Sequence, residues 1–131
     1  MQRIGLFMVT VLLLISGVEA QDRSVFKVGT ATAARGQKVT GTIDVPSGID
    51  TSTSIPVAVI HGSRPGPVLA LVAGAHGTEY TSIIALEKLI GTLNPLEIAG
   101  TVIIVPLVNI QSFERKVPHV NPIDGVSMNR M

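Results

Sequence analysis

Two short runs without a polar residue bracket a helical stripe, and this arrangement constrains the fold more than any other feature of the chain. Residues 68–73 read Val-Leu-Ala-Leu-Val-Ala, and residues 102–105 read Val-Ile-Ile-Val. Strands covered on both faces lack polar alternation in this way. Between the runs, Ile83, Leu86, Leu89, Ile90 and Leu93 recur at three- and four-residue spacing. They form one apolar stripe of a helix that starts near Tyr80 and is ended by Asn94-Pro95. Strand, helix and strand in this order predict a βαβ unit with a right-handed crossover, which places the chain in the α/β class.

Upstream, residues 38–45 alternate apolar and polar, the period of a half-buried strand, and Pro46-Ser47-Gly48 breaks the pattern. A more apolar strand is expected over residues 55–60, and Gly62-Ser63-Arg64-Pro65-Gly66-Pro67 reads as a turn cluster. Beyond Pro106 the character changes: residues 106–131 hold three prolines, three asparagines and almost no periodicity. Such a stretch at the end of a compact domain is usually functional or incomplete, and here it is expected to belong to a domain that is incomplete at its C-terminus.

The chain is 46% hydrophobic and 15% charged, which excludes an intrinsically disordered protein. A formal net charge of +1 and 3% aromatic residues offer neither an electrostatic footprint nor a stacking platform for nucleic acid. Cysteine is absent, so there is no disulfide framework, thiolate metal site or cysteine nucleophile, and any metal must be held by His and carboxylates. At the N-terminus, Arg3 precedes an apolar run of about a dozen residues, then Ser16-Gly17-Val18-Glu19-Ala20. These are the charged, apolar and small-residue regions of a secretory signal over residues 1–20. The run is too short to span a bilayer, for which ~20 residues are needed. The mature chain, residues 21–131, is therefore expected to be secreted or periplasmic, with no membrane attachment after cleavage.

His76 and Glu79 fall where the first buried strand gives way to the helix, flanked by Gly74 and Gly77. In open α/β sheets, ligands bind in the crevice outside the carboxyl ends of the strands. Imidazole nitrogen and carboxylate oxygen suit Zn²⁺. His-x-x-Glu alone is too common to decide, and the bland alternative is a loop His with Glu79 stabilised near the helix N-terminus. Arg115 and Asn129-Arg130 lie in the loop after the next strand, near the same sheet edge. Guanidinium groups bind carboxylates in a fork or stabilise a developing oxyanion, although a solvated loop arginine is the commoner case.

Gly66-Pro67 ahead of an apolar strand, followed by Gly74-Ala75-His76-Gly77-Thr78-Glu79-Tyr80, resembles the zinc-binding start of the succinylglutamate desuccinylase/aspartoacylase family, a branch of the zinc carboxypeptidase superfamily. Asn121-Pro122-Ile123-Asp124-Gly125-Val126-Ser127-Met128-Asn129-Arg130 resembles the family's substrate loop, which ends in Asn-Arg. The likeness covers roughly residues 55–131. It implies a partial zinc-carboxypeptidase-like three-layer sandwich with a mostly parallel or mixed central sheet. It further implies His76 and Glu79 as the first two zinc ligands, Asn129 and Arg130 as holders of a substrate carboxylate, and Arg115 as the group polarising the scissile carbonyl. The implied chemistry is hydrolysis of an amide in an N-acyl amino acid or related small molecule by a zinc-activated water. The family draws its third ligand, a His, and its general-base Glu from segments downstream of the Asn-Arg loop. Of the remaining histidines, His61 reads as a packing or surface residue, and His119, in the loop, has no spacing that assigns it to the metal; Glu114 is likewise unsupported as a base.

The leading expectation is thus the N-terminal part of a zinc hydrolase domain, without turnover as the 131-residue chain alone. The competing readings are a non-catalytic secreted α/β protein with a remnant metal- or carboxylate-binding site, and a structural module without metal. The signal segment makes a direct prediction. Mass spectrometry of the exported protein should find an N-terminus at or within a few residues of Gln21, and an intact Met1 on soluble exported protein would contradict it.

Overall fold

The computed structural model describes residues 23–130; the expected signal segment, residues 1–20, lies outside them. Strands β1 (Val25–Val28) and β2 (Ala31–Ala34) form an antiparallel hairpin. Strands β3 (Gln37–Val45), β4 (Thr53–His61), β5 (Arg64–Val72) and β6 (Ala99–Val105) form a second sheet in the order β3-β4-β6-β5. That sheet is mixed. β3 with β4 and β4 with β6 are antiparallel, whereas β5 and β6 are parallel. Helix α1 (Tyr80–Thr92) and a 3-10 turn (Pro95–Glu97) connect the two parallel strands, and a short helix α2 (Ile110–Glu114) follows β6. None of the described helices is long and apolar enough to cross a membrane.

Strand side chains alternate between faces, and β4 uses both. Val57 and Val59 face the hairpin, where they pack with Phe26, Ala31, Ala33 and Val105. Ala58 and Ile60 face the other way with Ile104, against Leu86, Leu89, Ile90 and Leu93 of the α1 stripe. The result is three layers: hairpin, mixed sheet and helix. The last turn of α1 carries no basic residue. β3 supplies one instead, as Lys38 Nζ donates to the carbonyl oxygens of Ile90 at 2.6 Å and Leu93 at 3.1 Å, placing a cation at the negative end of the helix. His61 is buried, with Nδ1 2.8 Å from Thr101 Oγ1 and Nε2 2.9 Å from the Arg23 carbonyl oxygen. It is a packing residue that ties the start of the described chain to the sheet.

The strand, helix and strand read from the sequence are present, and so is the alternating strand over β3. Three expectations need correction. The first apolar run is not covered on both faces. Among the described residues β5 pairs with β6 alone, and its Val68, Leu69 and Val72 are exposed. The strand buried on both sides is β4. The turn cluster at residues 62–67 shrinks to Gly62-Ser63, because residues 64–67 begin β5 and absorb their two prolines through an irregularity between Arg64 and Val68. Prolines are tolerated there because the missing N–H falls on a sheet edge. The loop after Pro106 contains α2, too short for its periodicity to register, and the small residues of β2 concealed the hairpin.

The two segments leaving the parallel strands are bound to each other. The Val108 and Asn109 N–H groups donate to the carbonyls of Ala73 and Gly74, both at 3.0 Å. Asn109 is buried and works in two directions: its Oδ1 caps α2 by accepting from the Ser112 N–H, and its Nδ2 donates to the Ala75 carbonyl at 3.1 Å. Ser112, fully buried, accepts from the Gly77 N–H at 3.1 Å and donates to the Val117 carbonyl. The contact is so close that a Cβ on Gly77 would collide with the backbone nitrogen of Phe113. Glycine is required at 77 for approach, and at 74 for a φ of +68. Ser112→Ala should leave the buried Gly77 N–H without a partner and take the donor from the part-buried Val117 carbonyl, at a cost of about 1–3 kcal/mol. Urea unfolding should show a lower midpoint at unchanged slope; an unchanged midpoint would mean that other contacts hold the loop.

Candidate metal and carboxylate site

The clasped loop carries His76. One turn closes behind it, where the Glu79 N–H donates to the His76 carbonyl at 3.1 Å, and α1 begins at the next residue. Glu79 occupies the N-cap of α1, yet its side chain makes no capping hydrogen bond there. Helix capping therefore does not account for its carboxylate. The edge-to-face contact of Tyr80 with Phe113, with centroids 5.9 Å apart, adds an apolar link between α1 and α2 beside the loop.

The His76 ring is half-buried, and its two nitrogens differ. Nδ1 is fully buried and has no hydrogen-bond partner. Nε2 lies 3.2 Å from Asn129 Nδ2, and the Asn129 Oδ1 accepts from the Ser127 hydroxyl at 2.6 Å. His119 meets the His76 ring edge-on, with centroids 5.2 Å apart. Its backbone has a φ of +69, a left-handed conformation that His adopts more readily than most side chains. Together His76, His119, Val120, Ser127, Asn129 and Arg130 line an open cavity of about 310 Å³.

The loop that brings in the last of these is locally closed. Asn121 accepts at Oδ1 from the Ile123 N–H at 3.0 Å, and its own N–H donates to the Val126 carbonyl. Asp124 Oδ1 accepts from the Val126 N–H at 2.9 Å, and the Arg130 N–H returns to the Ser127 carbonyl. Such side-chain-to-backbone turns explain the placement of Asn121, Asp124 and Gly125 in this stretch. They also explain how a segment without helix or strand holds Asn129 against His76.

Of the residues singled out in the sequence, the structure gathers His76, Asn129 and Arg130 around one cavity. Glu79 is exposed at the N-cap of α1, and Arg115 is exposed at the C-cap of α2; neither lines the cavity. Ser127 and His119 join the site instead. The clasp residues Asn109 and Ser112 escaped the sequence reading, although Asn ahead of an apolar residue is a helix N-cap signal that could have marked them. Ser127 offered no comparable signal.

An unpartnered buried imidazole nitrogen fits a metal ligand, because burial removes the water that would otherwise satisfy it. Imidazole and carboxylate on one short loop are a donor set suited to zinc. Among the described residues, no group of three or more His, Cys, Asp and Glu converges, so the fit is to part of a coordination sphere.

Known proteins place this geometry. The succinylglutamate desuccinylase/aspartoacylase catalytic domain matches residues 65–131. The chain is 40% identical over 76 residues to the N-alpha-acetyl-L-2,4-diaminobutyric acid deacetylase of Halomonas elongata, a match spanning 58% of this chain and 22% of the relative. An aspartoacylase family protein from Mesorhizobium loti superimposes with a TM-score of 0.65 at 32% identity, over 71% of this chain and 29% of that one. The product-bound ectoine utilization protein EutE of Ruegeria pomeroyi superimposes with a TM-score of 0.57 at 29% identity, over 72% of this chain and 29% of that one. The chain thus spans about a fifth of the curated relative and under a third of these solved structures. With the catalytic-domain match covering the parallel pair, the His76 loop and the Asn-Arg loop, the chain belongs to the succinylglutamate desuccinylase/aspartoacylase family.

Proposed function

We propose that the protein is a zinc-dependent hydrolase that cleaves the amide bond of an N-acyl amino acid or a related carboxylate-bearing small molecule, outside the cytoplasm. One observation carries this reading: His76, whose buried Nδ1 has no partner, lines a single cavity together with Asn129 and Arg130. The names of the relatives support the reaction class, since one is a deacetylase of an N-acetylated diamino acid.

His76 and Glu79 would hold the zinc, with further ligands from outside the described residues. Zinc, when bound, supplies a Lewis acid and lowers the pKa of a coordinated water to about 7. The rest belongs to the chain itself. The Arg130 guanidinium grips the substrate carboxylate in a two-bond fork, and Asn129 adds a neutral donor beside it. This fixes the scissile amide relative to His76 and converts orientation into rate. Arg115, exposed at the C-cap of α2 and outside the cavity lining, would stabilise the developing oxyanion at the carbonyl oxygen, the role that the family resemblance implies. The clasp through Ser112 keeps the His76 loop from relaxing as the site fills.

Replacing His76 or Glu79 by Ala should remove bound zinc from the full-length protein, as measured by metal analysis after dialysis. Arg130→Ala should lower kcat/KM by about ten- to over a hundredfold, corresponding to about 1.5–3 kcal/mol for one charge-assisted hydrogen bond. Lys at that position should recover little, because it keeps the charge and loses the fork. Arg115→Ala should reduce kcat more than it raises KM. Equal rates on carboxylate-free amides, together with wild-type behaviour of Arg130→Ala, would overturn the assigned role of the loop.

A further inference from the structure

We infer that Asn129 selects the tautomer of His76, and that the 180° orientation of its amide decides whether Nδ1 can accept a metal. The inference rests on the metal reading above and goes beyond it.

The Asn129 Nδ2 facing His76 Nε2 at 3.2 Å is an NH₂ group and only donates, so Nε2 must accept. A neutral imidazole that accepts at Nε2 carries its proton at Nδ1. In the arrangement observed, the buried, unpartnered atom is therefore an N–H, which repels a cation and has no lone pair to offer. A half-turn of the amide reverses this. Oδ1 then faces the ring and accepts from Nε2–H, the ring proton having moved from Nδ1 to Nε2, and Nδ1 presents its lone pair. The proton count of the ring is unchanged, so the metal-competent form is reached without releasing a proton.

Ser127 makes the half-turn possible. Its hydroxyl now donates to Oδ1 at 2.6 Å. After rotation the same oxygen accepts from the amide NH₂, since a hydroxyl serves in either role. Neither orientation leaves the amide unpartnered, which is the condition for a two-state element. A charged carboxylate in this place would accept in both states and hold His76 permanently in the metal-binding form. Asn129 is thus a positioning residue for His76 as well as a neighbour of the substrate cavity, and metal loading reorients the amide that the substrate meets. Partners of ligating histidines act in this manner, and their loss typically costs 10–100-fold in metal affinity.

The test uses full-length protein labelled with ¹⁵N-histidine at pH 7.5, with long-range ¹H–¹⁵N correlations of His76 and zinc affinity by chelator competition. Metal-free wild type should show protonated Nδ1 in the neutral ring, and the zinc-loaded form should show protonated Nε2 with Nδ1 bound. Asn129→Asp should show protonated Nε2 before zinc is added and should bind zinc at least as tightly as wild type. Asn129→Ala should bind zinc 10–100-fold more weakly, with its thermal unfolding measured to establish that it folds. If Asn129→Ala fails to fold, the tautomers of wild type and Asn129→Asp decide the matter. Protonated Nε2 in metal-free wild type would overturn the proposal, as would zinc affinity in folded Asn129→Ala within threefold of wild type. His76 signals that ignore saturating zinc in the wild type would instead overturn the metal reading beneath it.

Discussion

Everything at the candidate site depends on the hydrogen-bonded clasp between the two segments that leave the parallel strands. β5 and β6 run side by side in one direction, so their carboxyl ends open at the same edge of the sheet. The chain leaving β5 must turn into α1, and the chain leaving β6 must turn into α2, within a few residues. Each turn exposes backbone groups that burial would penalise. The structure resolves both demands together: Asn109 caps one helix and supports the other loop, and Ser112 accepts the Gly77 N–H. His76 sits between these fixed points at Ala75 and Gly77.

That constraint also explains the distribution of glycine and small polar residues. Gly77 is held against the Phe113 backbone, where no side chain fits. A sequence reader sees Gly74 and Gly77 around a histidine and infers a flexible loop. The physical role is closer to the opposite, since absence of a side chain permits a close, rigid approach. The tail loop follows similar logic by other means: Asn121, Asp124 and Gly125 fold it through local turns, and its ordered end delivers Ser127 and Asn129 to the ring.

Much of the framework could be read from residue order alone. The spacing of Ile83, Leu86, Leu89 and Ile90 located α1, and the apolar runs located β5 and β6. What those runs could not convey was burial. An unbroken apolar strand looks the same whether it lies inside a sheet or at its edge, and Val68, Leu69 and Val72 are exposed at an edge. The hairpin of β1 and β2 was hidden because Ala31 and Ala33, both fully buried, carry little hydrophobic signal. At the site, His76, Asn129 and Arg130 were legible through their motifs and are brought together by the fold. The approach of His119 to His76 was not, because a left-handed backbone at a loop histidine leaves no trace in spacing. Nor could any sequence show that one imidazole nitrogen is buried and unpartnered, which is a property of packing.

The metal reading turns on His76 Nδ1, which is buried and unpartnered and would offer its lone pair to a metal once the Asn129 amide turns. Anomalous diffraction at the zinc edge from crystals of the full-length protein tests it most directly. The account predicts a peak about 2.0–2.1 Å from His76 Nδ1, with a carboxylate oxygen of Glu79 among the other ligands. A peak bonded to Nε2, or a zinc-loaded protein with no peak beside the His76 loop, would contradict it.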